Sequence, residues 1–225
     1  MIFTFSSYAQ GNHVFTGGEI SNFMAVNLST PGTQTWNTDR AALPGYFSAV
    51  NSAIYTGASD AAHVNGYMKK YGNQAFTFAV GSGSDLRALS ISAPASATDA
   101  YAVAWISGDP GNNQDPTAPN AGAHPTASFS SPIIAVSNVG QWDWQVGNAG
   151  NLGTGTTGTG AGLTISVSIP DMTLFAETLN LRLVGWNGTS WIDLSGASTA
   201  TGNNEDDILS GTMVAGITAI GIGSV

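Results

Sequence analysis

Along several short runs of this chain every second residue is apolar. Leu163, Ile165, Val167 and Ile169 alternate with Thr and Ser in LTISVSI, as a strand with one buried face requires. Tyr101, Val103 and Trp105 alternate with Ala, and Phe76, Phe78 and Val80 form a third such face. Gly and Pro break the runs at intervals typical of a sandwich or barrel. Helical periodicity is nearly absent: the one candidate, Thr38 to Tyr55, is interrupted by Pro44-Gly45 and lacks an i, i+3, i+4 stripe. The pattern predicts an all-β chain, an antiparallel, jelly-roll-like β-sandwich with little or no helix.

Two hairpins can be read with a register. In LRLVGWNGTSWIDL, Asn187-Gly188 suits a type I′ turn. That turn sets Trp186 opposite Thr189, Val184 opposite Trp191 and Arg182 opposite Asp193, with Leu181, Leu183, Ile192 and Leu194 on the buried face. In GNQAFTFAVGSGSDLRALSIS, Phe76, Phe78 and Val80 oppose Ile91, Leu89 and Arg87 across a Gly-rich loop. Arg87 then stands at the open end of an apolar face, its methylenes over Phe78 and its guanidinium directed to loop carbonyls or to Asp85. Arg87, Arg182 and Asp193 are thus expected to be structural.

Charged residues make up 8% of the 225, and the net charge is −9. An average soluble protein carries roughly a quarter, so Ser, Thr, Asn, Gln and Gly must cover the surface. The acidic balance argues against nucleic acid and anionic lipid, which need clustered Lys and Arg. With no cysteine, disulfides, thiolate metal sites and a cysteine nucleophile drop out. No window reaches the ~20 apolar residues of a membrane span. The opening MIFTFSSYAQ reads as the remnant of a signal peptide or as an N-terminal strand. Residues 11–225 read as one sandwich domain, with a weak division near 110–125.

No reaction centre stands out. The chain has no GxSxG, HExxH, GxGxxG or GxxxxGK pattern, and its three histidines and three glutamates sit in unlike contexts. A non-enzymatic role is the expectation. If a cofactor binds, it is calcium, held by oxygen-rich loops at Asp109, Asn113 and Asp115 or at Asp206 and Asp207. Trp142, Trp144, Trp186 and Trp191 are candidates for a glycan platform or a subunit contact.

The stretch His63 to Val103 resembles a segment of secreted surface proteins of Bacteroidetes. The matching residues are Gly66-Tyr67, Lys70, Gly72, Phe76, Phe78, Val80-Gly81, Gly83, Arg87, Leu89, Ile91 and Pro94, while Ala79 stands where the family usually has Pro. The closing GWNGTSWIDLSG and ITAIGIGSV are similar to the ends of such modules. The resemblance implies an extracellular adhesin-type β-module exported by the type IX route, without a catalytic centre. The expected role is a self-associating subunit of a surface fibre, sheath or adhesin stalk; the alternative is a carbohydrate-binding adhesion module. Copies of the chain are the expected partners, joined through MIFTFSSYAQGNHVF or TMVAGITAIGIGSV, whose edges lack the charges that would protect them. Surface polysaccharide is a further possible partner.

Overall fold

The computed structural model describes residues 11–29, 36–112, 115, 120–148 and 160–225. Its first third winds as a three-sided coil of parallel strands. β1 (Asn12–Val14), β2 (Glu19–Asn22) and β3 (Val26–Asn27) form one turn of the coil, and β4 (Trp36–Thr38), β5 (Tyr46–Val50) and β6 (Tyr55–Thr56) form the next. Each side stacks in parallel on its counterpart, Asn12 on Trp36, Ile20 on Phe47 and Val26 on Tyr55. In a third turn β7 (Val64–Asn65) adds to β4 and β8 (Tyr67–Tyr71) adds to β5. Parallel neighbours need a crossover, and here the other two sides of the coil supply it. Val14, Leu28, Phe47, Val64 and Met68 are buried, and Trp36 stands edge-on to Phe47.

Beyond β8 most pairing is antiparallel. The remaining strands are β9 (Phe76–Phe78), β10 (Val80–Ser82), β11 (Asp85–Leu86), β12 (Leu89–Ile91), β13 (Asp99–Ser107), β14 (Ala135–Val136), β15 (Gly140–Asn148), β16 (Thr164–Ser168), β17 (Leu181–Trp186), β18 (Trp191–Asp193), β19 (Ile208–Thr212) and β20 (Ala219–Ser224). A nine-stranded sheet runs β18-β17-β20-β15-β13-β8-β5-β2, with β14 also on β20; a four-stranded sheet runs β19-β16-β12-β9. β10 instead joins the coil's first side, parallel to β7, and pairs with β11.

The main core lies between the large and the four-stranded sheet. Tyr101, Val103, Trp105, Trp142, Trp144, Leu181 and Leu183 meet Phe76, Phe78, Leu89, Ile165, Val167 and Leu209. All three alternating runs recognised in the sequence thus bury the face expected of them. The fold is all-β and sandwich-like. It departs from the jelly-roll expectation in its parallel first third, because alternation marks which face of a strand is buried but not the direction of its neighbour. The Thr38–Tyr55 candidate helix carries β5 instead.

The hairpin at Asn187-Gly188 forms two residues out of the expected register. Trp186 pairs with Trp191, Gly185 with Ile192 and Val184 with Asp193, so Arg182 does not face Asp193. The cause lies in the turn: the Asn187 side-chain oxygen accepts the N–H groups of Thr189 and Ser190, and the Asn187 N–H bonds to the Ser190 carbonyl. The reversal therefore falls one position later, at Gly188-Thr189. A two-residue slip keeps side chains on their faces, so Leu181, Leu183 and Leu194 are still buried.

The C-terminal strand is also placed. β20 lies between β17 and β15 within its own sheet, which removes Thr212 to Val225 as an intermolecular strand. Residues 1–10 lie outside the described residues. On the outer face of β20 a side chain at Gly221 would begin 3.0 Å from the Trp191 ring. Gly221→Val should therefore destabilise the domain by about 1–3 kcal/mol through overpacking, seen as a lower urea midpoint at unchanged slope. An unchanged midpoint would contradict this close approach.

Candidate functional site

Three places bring polar groups together, and two further surfaces are apolar. The first surrounds Arg87, whose side chain is buried and ion-paired to Asp85 at 2.5 Å, Glu205 at 2.6 Å and Asp206 at 3.3 Å. Its backbone oxygen accepts Trp142 Nε1. The guanidinium therefore ties the β10–β11 turn to the turn before β19, over the rim of the core. Arg182 donates to the carbonyls of Leu179 and Leu181, and Asp193 caps the N–H groups of Ser195 and Gly196.

The second is a buried polar network on the outer face of the large sheet. Trp142 and Trp144 point into the core, so Gln141, Asp143 and Gln145 point the other way, and all three are buried. Asp143 accepts from Tyr67 Oη at 2.8 Å, Asn120 Nδ2 at 2.6 Å and Gln145 Nε2 at 2.9 Å. Its carboxyl also hydrogen-bonds the buried Asp115 side chain, and burial raises its pKa. Two carboxyls can share a hydrogen bond only if one keeps its proton. Nearby, His124 bonds Gln141 through Nδ1 and stacks on Trp186, so these side chains bolt Asp115, Asn120 and His124 onto the sheet.

The third is the coil's first side, where Trp36, Asn37, Asp60, His63 and Asn65 line a cleft of about 90 Å³. A larger apolar groove, about 360 Å³, runs between β6 and β9 past Tyr55, Phe76 and Ile91. Among the described residues β1, β2 and β3 each terminate their sheets, which gives the coil an open end. Phe15, Phe23 and Met24 there are 69%, 71% and 78% exposed, with Ile20 and Leu43 also exposed.

Several expected site residues are placed otherwise. Trp142, Trp144, Trp186 and Trp191 are all buried, so they form core and sheet cover rather than an exposed platform. The oxygen clusters expected for calcium separate. Asp109 caps the short turn at Gly111, Asp115 enters the Asp143 network, and Asn113 lies outside the described residues. Asp206 turns to Arg87 and Ser168, while Asp207 turns to Thr201 and Asn204. Among the described residues no three acidic or histidine side chains converge on a metal position, and no helix is long and apolar enough to cross a membrane.

The sequence reading missed Asp143, although a carboxylate flanked by two core tryptophans in one strand is a signal that its opposite face is worth examining. The Trp36 cleft had no local signal, since its side chains come from β4, β7 and the segment before β7. Comparison of the chain with family models, curated proteins and solved structures returns no match.

A carboxyl that keeps its proton better when folded contributes stability below its unfolded pKa, and that contribution is lost as pH rises. Asp115→Asn replaces the shared proton with an amide N–H. This variant should melt above the wild type at pH 8, and the gap should close toward pH 4. A gap that is constant or absent across that range would contradict the shared proton.

Proposed function

We propose that this chain is a non-catalytic, extracellular structural subunit that associates with copies of itself in a surface fibre, sheath or adhesin stalk. The observation that carries the reading is the open end of the coil. Backbone N–H and C=O groups along a free strand edge invite another strand, and a coil built of stacked turns needs a polar cap to stay soluble by itself. This end has instead an exposed apolar set, Phe15, Ile20, Phe23, Met24 and Leu43. In β2 the one charged residue is Glu19, already engaged by Lys69 and Tyr71 on its own sheet.

The second copy is the occupant proposed for this end. Two identical open ends meeting around a two-fold axis close as a dimer, whereas a fibre requires the end to meet a different surface of the next copy. Light scattering over a concentration series, with electron microscopy of the same samples, separates these forms. The expected result is a dimer or a filament for the wild type. Ile20→Lys combined with Phe23→Lys should give a monomer with unchanged circular dichroism. A wild type that stays monomeric at all concentrations, or a double variant that assembles as before, would overturn the proposal.

A further inference from the structure

The first side of the coil presents an outward row in which His13, Asn37 and Asn65 are in register. His13 is engaged by Asp39 at 2.7 Å. Asn37 and Asn65 instead border the cleft, together with Trp36, Asp60 and His63.

Asn65, Asp60, His63 and Trp36 are each held by a hydrogen bond to the surrounding structure. Arg40 Nη1 donates to Asn65 Oδ1 at 2.8 Å, so the Asn65 Nδ2 donor points away from Arg40. Arg40 is itself held by the carbonyls of Gly81 and Trp105. Asp60 Oδ1 accepts the Leu86 N–H at 3.0 Å, and Oδ2 remains as a charged acceptor. His63 Nδ1 lies 3.3 Å from the Ser59 carbonyl, which assigns the proton to Nδ1 and makes Nε2 the acceptor; burial lowers its pKa and favours the neutral ring. Trp36 Nε1 donates to the Leu28 carbonyl at 3.3 Å, which fixes the plane of the indole.

Trp36, whose indole turns inward onto Phe47, forms only the inner wall of the cleft, which thus combines a carboxylate acceptor, an amide donor and a second carboxamide able to do both. Adjacent donors and acceptors of this kind match hydroxyl groups, each of which donates one hydrogen bond and accepts others. Asp60 disfavours an anion, and the Arg40 guanidinium is turned to neutral oxygens behind Asn65. We propose that this cleft binds one neutral pyranose ring of a glycan. Its small volume suits the edge of a single ring. At the rim Gly83 has no atom within 4 Å of a would-be side chain, which leaves room for the rest of a saccharide. The site is separate from the coil's open end, so it stands or falls independently of self-association.

The test is an NMR titration of the whole chain with glucose, galactose, mannose and N-acetylglucosamine. At least one sugar should give saturable shifts confined to the Asn37 and Asn65 side-chain amides and their backbone neighbours, with a Kd of about 1 mM. Asp60→Asn keeps an acceptor for the Leu86 N–H and should weaken binding about tenfold, the usual scale for losing a charge-assisted hydrogen bond. Asn37→Ala, on the outward row, should weaken it by a smaller factor. The proposal is overturned if no sugar gives saturable shifts, if the shifts lie elsewhere, or if the folded Asp60→Asn protein binds as well as the wild type.

Discussion

β8 is the strand on which the rest of the structure depends. One of its edges pairs in parallel with β5 and the other pairs antiparallel with β13, so its backbone ladder joins the coil to the large sheet of the sandwich. Buried N–H and C=O groups must be paired somewhere, and β8 pairs them on both of its edges. The same residues serve both sides of that ladder. Met68 points into the core, while Tyr67 and Lys69 face outward to Asp143 and Glu19.

Continuity of the large sheet explains why its outer face is polar yet covered. In β13, Ala100, Ala102 and Ala104 leave shallow ground between the tyrosines of β5 and β8 and the Gln141, Asp143, Gln145 row of β15. Tyr46 Oη reaches across to Gln145 at 3.0 Å. Further along, the glycines of β20 leave space for Trp191, and His124 stacks on Trp186. Polar bonding and aromatic cover therefore close different parts of one face. Among the described residues the coil's open end has neither, and that contrast supports reading it as a surface for a second copy.

Much of the sandwich was legible because period-two alternation follows directly from one-sided burial. Phe76, Phe78, Leu89 and Ile91 even pair as the sequence suggested, Phe78 with Leu89 and Phe76 with Ile91. The Asn187 turn was misplaced because a side-chain oxygen competed with the backbone for the turn's N–H groups, a local choice that the Asn-Gly signal does not encode. The coil was missed although a repeat is visible in retrospect: Asn22 to Val26, Asn51 to Tyr55 and Gly72 to Phe76 each lead from a second-side strand round a corner to the next. Three unequal copies differing in nearly every residue are a weak signal. The polar groups around Asp143 and in the Trp36 cleft come from distant segments, and no spacing rule connects them.

The central claim is that the outer edge of the first coil is covered by another copy of the chain. Amide hydrogen exchange at Glu19–Asn22, followed as protein concentration is raised, tests it directly, because a partner strand protects amides that otherwise face solvent. The account predicts that protection at β2 rises with concentration while that at the interior strand β13 stays constant. Exchange at β2 that is fast and independent of concentration would contradict it.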